Sequence, residues 1–447
     1  MAAPLALPAI RGLRLASPAG EVVGENLVLA NHFPKPALSL PVLPNPSQHP
    51  IMDADTLGQK PGQAPDTKEY TMSNYKMRRE KIWDWMLQED IALAMFEDFE
   101  PRRDTTVRWL TGQPGDALLF LSAERSDDVG RCLLMPWDTI IANAYAKADM
   151  VVPYNNYGRS PLKAIRGAVE MLGIPPGSKI EIPPTTPYPV FLNYVGELSD
   201  FDIICREKSV AEHALDLRTV KDADEIATLR KAADVTNKII DLLEKKVRSG
   251  KIRTEADAAM LIELESRKRG CDGTGFETLA AGPDRSFGIH AFPAWTAGPF
   301  AGPGLSILDF GLRFHGYNTD VTLTFVRDPS PQQQKMVNLV EEAAKIAENS
   351  LAAGNNTMFT TTLVEDFFAK SKKSMVHGLG HGVGLDVHEY PFLRNRHKTV
   401  WELKPGMVIS VEPGLYDPVH GGCRLENDFL ITDGGCEVLT EARIIRL

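Results

Sequence analysis

The chain predicts a two-part fold of the α/β (α+β) class, on three observations. Strand-like apolar runs alternate with helical stretches between about residues 71 and 210. A long amphipathic helix opens a second part near residue 215. Strand and turn signals then dominate the remainder, around a loop rich in histidine and glycine. At 447 residues the chain is long enough for two cores.

Residues 1–70 carry Pro34, Pro36, Pro41, Pro44, Pro46, Pro50, Pro61 and Pro65, and read as a poorly ordered Pro/Ala-rich extension. Residues 1–15 lack the basic start of a secretion signal, and Pro4 and Pro8 interrupt their apolar part. Met72, just ahead of a helix, is a candidate alternative start. Over 74–88, Tyr75, Ile82, Trp83, Met86 and Leu87 fit one helical face. Runs at 91–96, 117–121 and 132–135 read as strands, and 160–172 as a helix, giving an N-terminal layer over 71–210.

The second part, 215–447, begins with a helix over about 222–248, lined by Ile226, Leu229, Ala233, Thr236, Ile240 and Leu243 and stopped by Gly250. Thr254 and Asp257 resemble a capping box for a second helix. Strands recur from Thr278 onward, and helices are expected over 331–353 and 362–370.

Hydrophobic residues at 43% and charged residues at 24% describe an ordinary globular chain. The net charge of −10 argues against nucleic acid or an anionic membrane as the main partner. The basic run 76–79 reads as a solvated helix face, and Trp83 and Trp85 as packing or surface aromatics. No apolar stretch approaches the roughly 18 to 20 residues that cross a bilayer. Cys132, Cys205, Cys271, Cys423 and Cys436 have no CxxC spacing and are expected as reduced thiols of a cytoplasmic protein. Cys423, close to Arg424, reads as a small buried hydrophobe.

His377, His381 and His388 lie among glycines that no helix or ordinary strand would choose. Imidazole binds zinc, cobalt, manganese or iron and moves protons near neutral pH. Glycine lets a backbone come close to something else. Residues 306–325 read as a hairpin turning around His315 and Gly316, with Asp309 on one strand and Asp320 on the other. A lone carboxylate in such an apolar context is costly to bury, and two across a hairpin repel unless a cation sits between them.

The C-terminal portion repeats this logic. The run 407–411 ends in Glu412-Pro-Gly, and the strand expected over 424–431 contains Glu426. Two Asp, two Glu and one His favour Mn, Co, Zn or Fe over calcium, and two adjacent ions over one. Two such ions can hold a bridging hydroxide as nucleophile and polarise the carbonyl it attacks.

The ordered set Asp309, Asp320, His381, Glu412 and Glu426 resembles that of the dinuclear metallopeptidases of the pita-bread fold. This M24 family includes methionine aminopeptidase, aminopeptidase P, prolidase and creatinase. The matching motifs are Asp-Phe-Gly with Gly-Tyr-Asn-Thr-Asp, His-Gly-Val-Gly-Leu-Asp-Val-His-Glu, Val-Glu-Pro-Gly-Leu-Tyr and Arg-Leu-Glu. Residues before 215 resemble the N-terminal domain of the creatinase, prolidase and aminopeptidase P branch. The resemblance thus implies a creatinase-like α/β domain over 71–210 and a pita-bread catalytic domain over 215–447.

It also implies two divalent ions, Mn first and Co, Zn or Fe as alternatives. Asp309 would chelate one ion, Asp320 and Glu426 would bridge both, and His381 and Glu412 would complete the other shell. Glu412 would take the proton of the attacking water, and His388 would stabilise the carbonyl oxygen. His290 would lie near the scissile bond, Arg424 would hold a bridging-side carboxylate, and His377 would be an additional pocket histidine.

The implied reaction removes an N-terminal residue from Xaa-Pro peptides or dipeptides. The partner is a small peptide with proline second, with no nucleic acid or membrane, and the family suggests a homodimer. Arg394 and Arg396 are candidates to clamp a dipeptide's free carboxylate, or else surface charges.

Two positions depart from the family: Leu323 stands where it often has Arg, and Asn427 where it commonly has Asp. Asp386 and Glu389 read as loop residues that make hydrogen bonds, and His315 as a solvent-facing turn residue. A zincin helix is rejected, because no Glu follows His377 and glycines surround it. Three alternatives remain: a creatinase-like amidinohydrolase, a dimethylsulfoniopropionate lyase, and a binding module that has lost its ligands. The intact ligand set counts against the first and the third, and Asp309-Phe-Gly with His388 against the second.

Overall fold

Period-2 alternation along three antiparallel strands builds the first layer of the computed structural model. Leu93–Asp98, Ala117–Ser126 and Val129–Pro136 pair with Leu93 opposite Ser122 and Leu119 opposite Leu134. One face carries Leu93, Met95, Leu118, Phe120, Leu133 and Met135 onto the helix Pro161–Leu172. The other carries Ala94, Phe96, Leu119, Leu121 and Leu134 onto the helix Met72–Gln88. Lys179–Glu181, Asp202–Ile204 and Met150–Val151 extend this sheet by parallel pairing.

The structure describes residues 72–100, 102–126, 129–395 and 398–447. The extension expected over 1–70 and the candidate clamp residue Arg396 lie outside the described residues. All described residues fall within one compact unit, Thr67–Leu447. Leu385, from the histidine-rich loop, packs into the same cluster as Ile82 and Trp83.

The first helix departs from expectation in two ways. The run 76–79 is solvated only in its first half: Lys76 and Met77 are exposed, but Arg78 ion-pairs with Asp222 at 2.5 Å, and Arg79 donates to the carbonyls of Leu110 and Lys147. Both arginines are buried, because these partners replace the water they lose. Leu87, in contrast, is exposed and lies off the buried face. An unexpected helix, Val210–Arg218, joins the two halves; Ser209 caps it by accepting from the Glu212 N–H.

In the second half, Ala223–Arg248 starts with a capping box from Asp222 and Glu225, and Glu255–Lys268 with one from Thr254 and Asp257. Pro331–Ser350 ends three residues early, while Thr357–Lys370 starts five early because Asn356 caps it by accepting from the Phe359 N–H. Two sheets carry the chemistry. One runs Ile444–Arg446, Val321–Arg327, Gly304–Phe310, Leu279–Ala281. The other runs Glu389–Leu393, Gly380–Gly382, Val408–Val411, Asn427–Thr432, Gly435–Val438. An isolated antiparallel bridge between Thr322 and Glu426 ties them together.

The five cysteines are unpaired, and Cys423 is buried in the core as a small apolar group. No helix among the described residues is long and apolar enough to cross a membrane.

Candidate metal centre

The Thr322–Glu426 bridge is the seam on which the carboxylates converge. Asp309, opposite Thr322 in the strand pairing, points into it from the first sheet. Asp320 lies just before Val321–Arg327 rather than inside a strand, and its N–H donates to Asp428 Oδ2 at 3.0 Å. Glu426 sits in the break between Gly421–Arg424 and Asn427–Thr432, where a continuous strand was expected. There its carboxylate accepts from Thr322 Oγ1 at 2.7 Å and Ser410 Oγ at 2.9 Å. Glu412 follows Val408–Val411, with its N–H anchored on the Leu379 carbonyl.

His381 occupies the middle of the three-residue strand Gly380–Gly382, hemmed in on both edges. A Cβ on Gly380 would collide with the Ser410 carbonyl, and one on Gly382 with the Tyr390 carbonyl. That close approach explains the glycines around the histidine. His381 Nδ1 lies 3.1 Å from the Gly382 carbonyl, which fits a proton there and leaves Nε2 with its lone pair. Nε2 faces Asp320 at 3.7 Å and Glu412 at 4.0 Å, too far for hydrogen bonds.

Three overlapping donor groups result: Asp309, Asp320 and Glu426; His381, Glu412 and Glu426; and Asp320, His381 and His388. In each, one ligand atom per residue lies within 4.8 Å of the others. The structure therefore brings all five residues of the expected ligand set to one place.

Electrostatics argue that this cluster needs a cation. Burial pushes the Asp309 carboxyl up to about 6, even though Arg424 pulls it down. Burial, then repulsion from Glu426, drives Asp320 and Glu412 well above the carboxylate range. Burial, with His388 adding to it, holds His381 down to about 3, so its ring stays neutral. Asp309 Oδ1 is buried with no hydrogen-bond partner among the described residues. Crowded carboxylates, an orphaned carboxylate oxygen and an imidazole lone pair fit divalent metal better than protons.

Around these residues lies a hydrogen-bonded support. Arg424, almost wholly buried, donates from Nη2 to Asp309 at 2.5 Å, from Nη1 to Tyr416 Oη at 2.7 Å and from Nε to Thr322 Oγ1 at 2.9 Å. It thus grips Asp309 directly and reaches Glu426 only through Thr322, where a hold on a bridging-side carboxylate was expected. His377 Nδ1 lies 2.7 Å from the Gly378 carbonyl, which leaves Nε2 to accept from Tyr416 Oη at 3.0 Å. Burial pushes that ring down to about 4.

His388 is exposed, its ring perpendicular to that of His381 at 4.3 Å between centroids. His290 is exposed on a loop tethered by Arg424 Nη1 to the Ile289 carbonyl, within electrostatic reach of Asp309, His377 and His388. Arg394 lies over the Phe392 ring at 4.3 Å and has no ion pair among the described residues. Leu323 is a core residue, and Asn427 spends its side chain on Thr440 and Ala442. Glu389 and Asp386 make ion pairs rather than joining the donor groups, and His315 is an exposed turn residue.

Sequence reasoning missed Asp428, Ser410, Thr322 and Tyr416. Asp428 had a signal, lying two residues beyond Glu426 in a strand-like run.

The model of metallopeptidase family M24 matches residues 227–433. An uncharacterized peptidase of Methanocaldococcus jannaschii is 34% identical over 53% of this chain and 68% of its own length. A Xaa-Pro dipeptidase of Pyrococcus horikoshii is 32% identical over 56% of this chain and 70% of its own. Among solved structures, an X-Pro aminopeptidase from Thermotoga maritima aligns over 83% of this chain and 99% of that one, with a TM-score of 0.70 and 23% identity. That likeness shows the fold, the pita-bread arrangement of M24 peptidases.

Proposed function

This chain belongs to metallopeptidase family M24, and we propose that it removes the N-terminal residue from peptides or dipeptides with proline in second place, using two divalent ions. The observation that carries the hydrolytic reading is the convergence of Asp309, Asp320, His381, Glu412 and Glu426 on one seam. Proline specificity draws its support from relatives described as Xaa-Pro dipeptidases.

Two overlapping groups that share Glu426 suit two neighbouring ions: one held by Asp309, Asp320 and Glu426, the other by His381, Glu412 and Glu426. Mn is the ion we favour, with Co, Zn or Fe as alternatives. When bound, the ions supply an activated water and a Lewis acid for the scissile carbonyl.

The chain's own residues do the rest. In this reading Glu412 accepts the proton that the attacking water gives up. His388 donates to the carbonyl oxygen as charge develops there, and His290 flanks the bond from its exposed loop. Arg424 keeps Asp309 ionised and oriented, while Thr322 and Ser410 hold Glu426. Proline has no amide hydrogen and a fixed φ, so a substrate pocket must fit its ring instead of pairing its backbone.

Arg394 bears on substrate length. A cation without an ion pair among the described residues, close enough to affect His381, His388 and Glu412, suits a dipeptide's free carboxylate. The test is hydrolysis of Ala-Pro beside Ala-Pro-Ala by chelator-stripped protein supplied with Mn, Co or Zn, with wild type and Arg394→Ala. Metal-dependent cleavage supports the peptidase. A loss in Arg394→Ala confined to Ala-Pro supports the dipeptidase; equal loss or none on both contradicts the clamp.

A further inference from the structure

His388 makes no ring hydrogen bond among the described residues, yet its loop is firmly anchored. The anchor is a buried ion network that the hydrolytic steps above leave unused. Glu389 accepts from Arg218 Nη2 at 2.6 Å and from Lys221 Nζ at 2.8 Å, and all three side chains are buried. Arg218 Nη2 also donates to Asp386 at 2.9 Å, and Thr105 Oγ1 donates to the same oxygen at 2.8 Å. Asn318, two residues before Asp320, donates from Nδ2 to the carbonyls of Gly384 and Leu385 at 3.0 and 2.9 Å.

The network ties distant parts of the chain together. Arg218 ends the helix Val210–Arg218, while the Lys221 N–H donates to the Gly406 carbonyl, next to the strand Val408–Val411. Glu389 begins the strand Glu389–Leu393, directly after His388. Two cations on one buried carboxylate exceed what a surface loop needs to fold. Burying charges is expensive, and a hydrophobic contact would serve packing alone. What the network fixes is direction: held from both oxygens, the Glu389 carboxylate is a fixed point immediately after His388.

We propose that Arg218 and Lys221 are positioning residues that grip Glu389 from both oxygens and so hold the His388 imidazole beside Asp320 and His381. The catalytic meaning of that position rests on the hydrolytic reading above; the positioning itself does not.

The test combines kinetics with a direct view of the ring. Lys221→Met is expected to lower kcat on Ala-Pro roughly 10-fold, with KM and metal content unchanged. Lys221→Arg should restore most of it. In a His388→Ala background the same Lys221→Met change should cost little more, because its effect passes through a ring already removed. A loss as large in that background as in wild type overturns the proposal. Should Lys221→Met not fold, Lys221→Met with Glu389→Gln removes both charges of the pair and takes its place.

In protein labelled with ¹⁵N-histidine, the His388 signal, identified by its absence in His388→Ala, should shift in the Lys221 variant. The His213, His315 and His420 signals should not. If no Xaa-Pro substrate is cleaved, the hydrolytic reading fails and this shift alone decides the positioning; an unmoved His388 signal overturns it.

Discussion

Arg424→Met is the change whose consequences the structure defines most fully. Arg424 is 1% exposed, and its guanidinium donates to Asp309, Tyr416, Thr322 and the Ile289 carbonyl. In metal-free protein the variant leaves Asp309 buried without its cation, and breaking a buried pair from one side costs about 3–5 kcal/mol. An opposite charge at this range favours the ionised carboxylate by ~1.4–4 kcal/mol, so Asp309 would hold its proton at neutral pH. Metal binding needs the ionised form. The expected result is a roughly 10- to 100-fold weaker Mn affinity, measured by titration against a competing chelator. Urea unfolding of the stripped protein reads the stability loss. Arg424→Lys, which keeps the charge but not the fork, should fall between. A folded Arg424→Met protein with undiminished Mn affinity would refute the role given to Arg424.

Three further outcomes are expected. Glu426→Ala, which removes the carboxylate common to both proposed ion sites, should abolish both metal loading and turnover, read by metal analysis and Ala-Pro hydrolysis. His388→Ala should keep its metals and lose on the order of 10²-fold in kcat, as expected for one oxyanion donor. In stripped protein, His377 is held down to about 4, below its unfolded value of about 6.5, so the folded state binds fewer protons between these values. Stability should therefore fall as pH drops from about 6.5 to about 4, by ~3 kcal/mol from this ring alone. Asp309, pushed up to about 6, acts in the opposite sense over an overlapping range. The comparison that isolates His377 is wild type against His377→Gln in urea at each pH, and equal pH slopes would contradict it.

The donor set was legible because each ligand sits in its own local motif, and a carboxylate in an apolar run already signals a charge that must be balanced. Helix ends were legible where caps were strong, as at Asp222 and Thr254. What escaped depends on long-range pairing. Arg78 and Arg79 looked like surface charges because Asp222 and the carbonyls of Leu110 and Lys147 lie 31 or more residues away. The Val210–Arg218 helix has too short a repeat to announce itself. Arg424's grip on Asp309 and Lys221's on Glu389 each span more than a hundred residues, and no local pattern encodes them. Glu426 was placed within a continuous strand because spacing cannot reveal the break that lets it bridge to Thr322.

The most direct test of the central claim is a Mn titration of chelator-stripped protein that follows bound metal and Ala-Pro hydrolysis in the same samples. The account predicts binding that saturates at about two Mn per chain, with cleavage absent from the stripped protein and rising as the sites fill. Cleavage indifferent to metal, or saturation without cleavage of Ala-Pro or Ala-Pro-Ala, would contradict it.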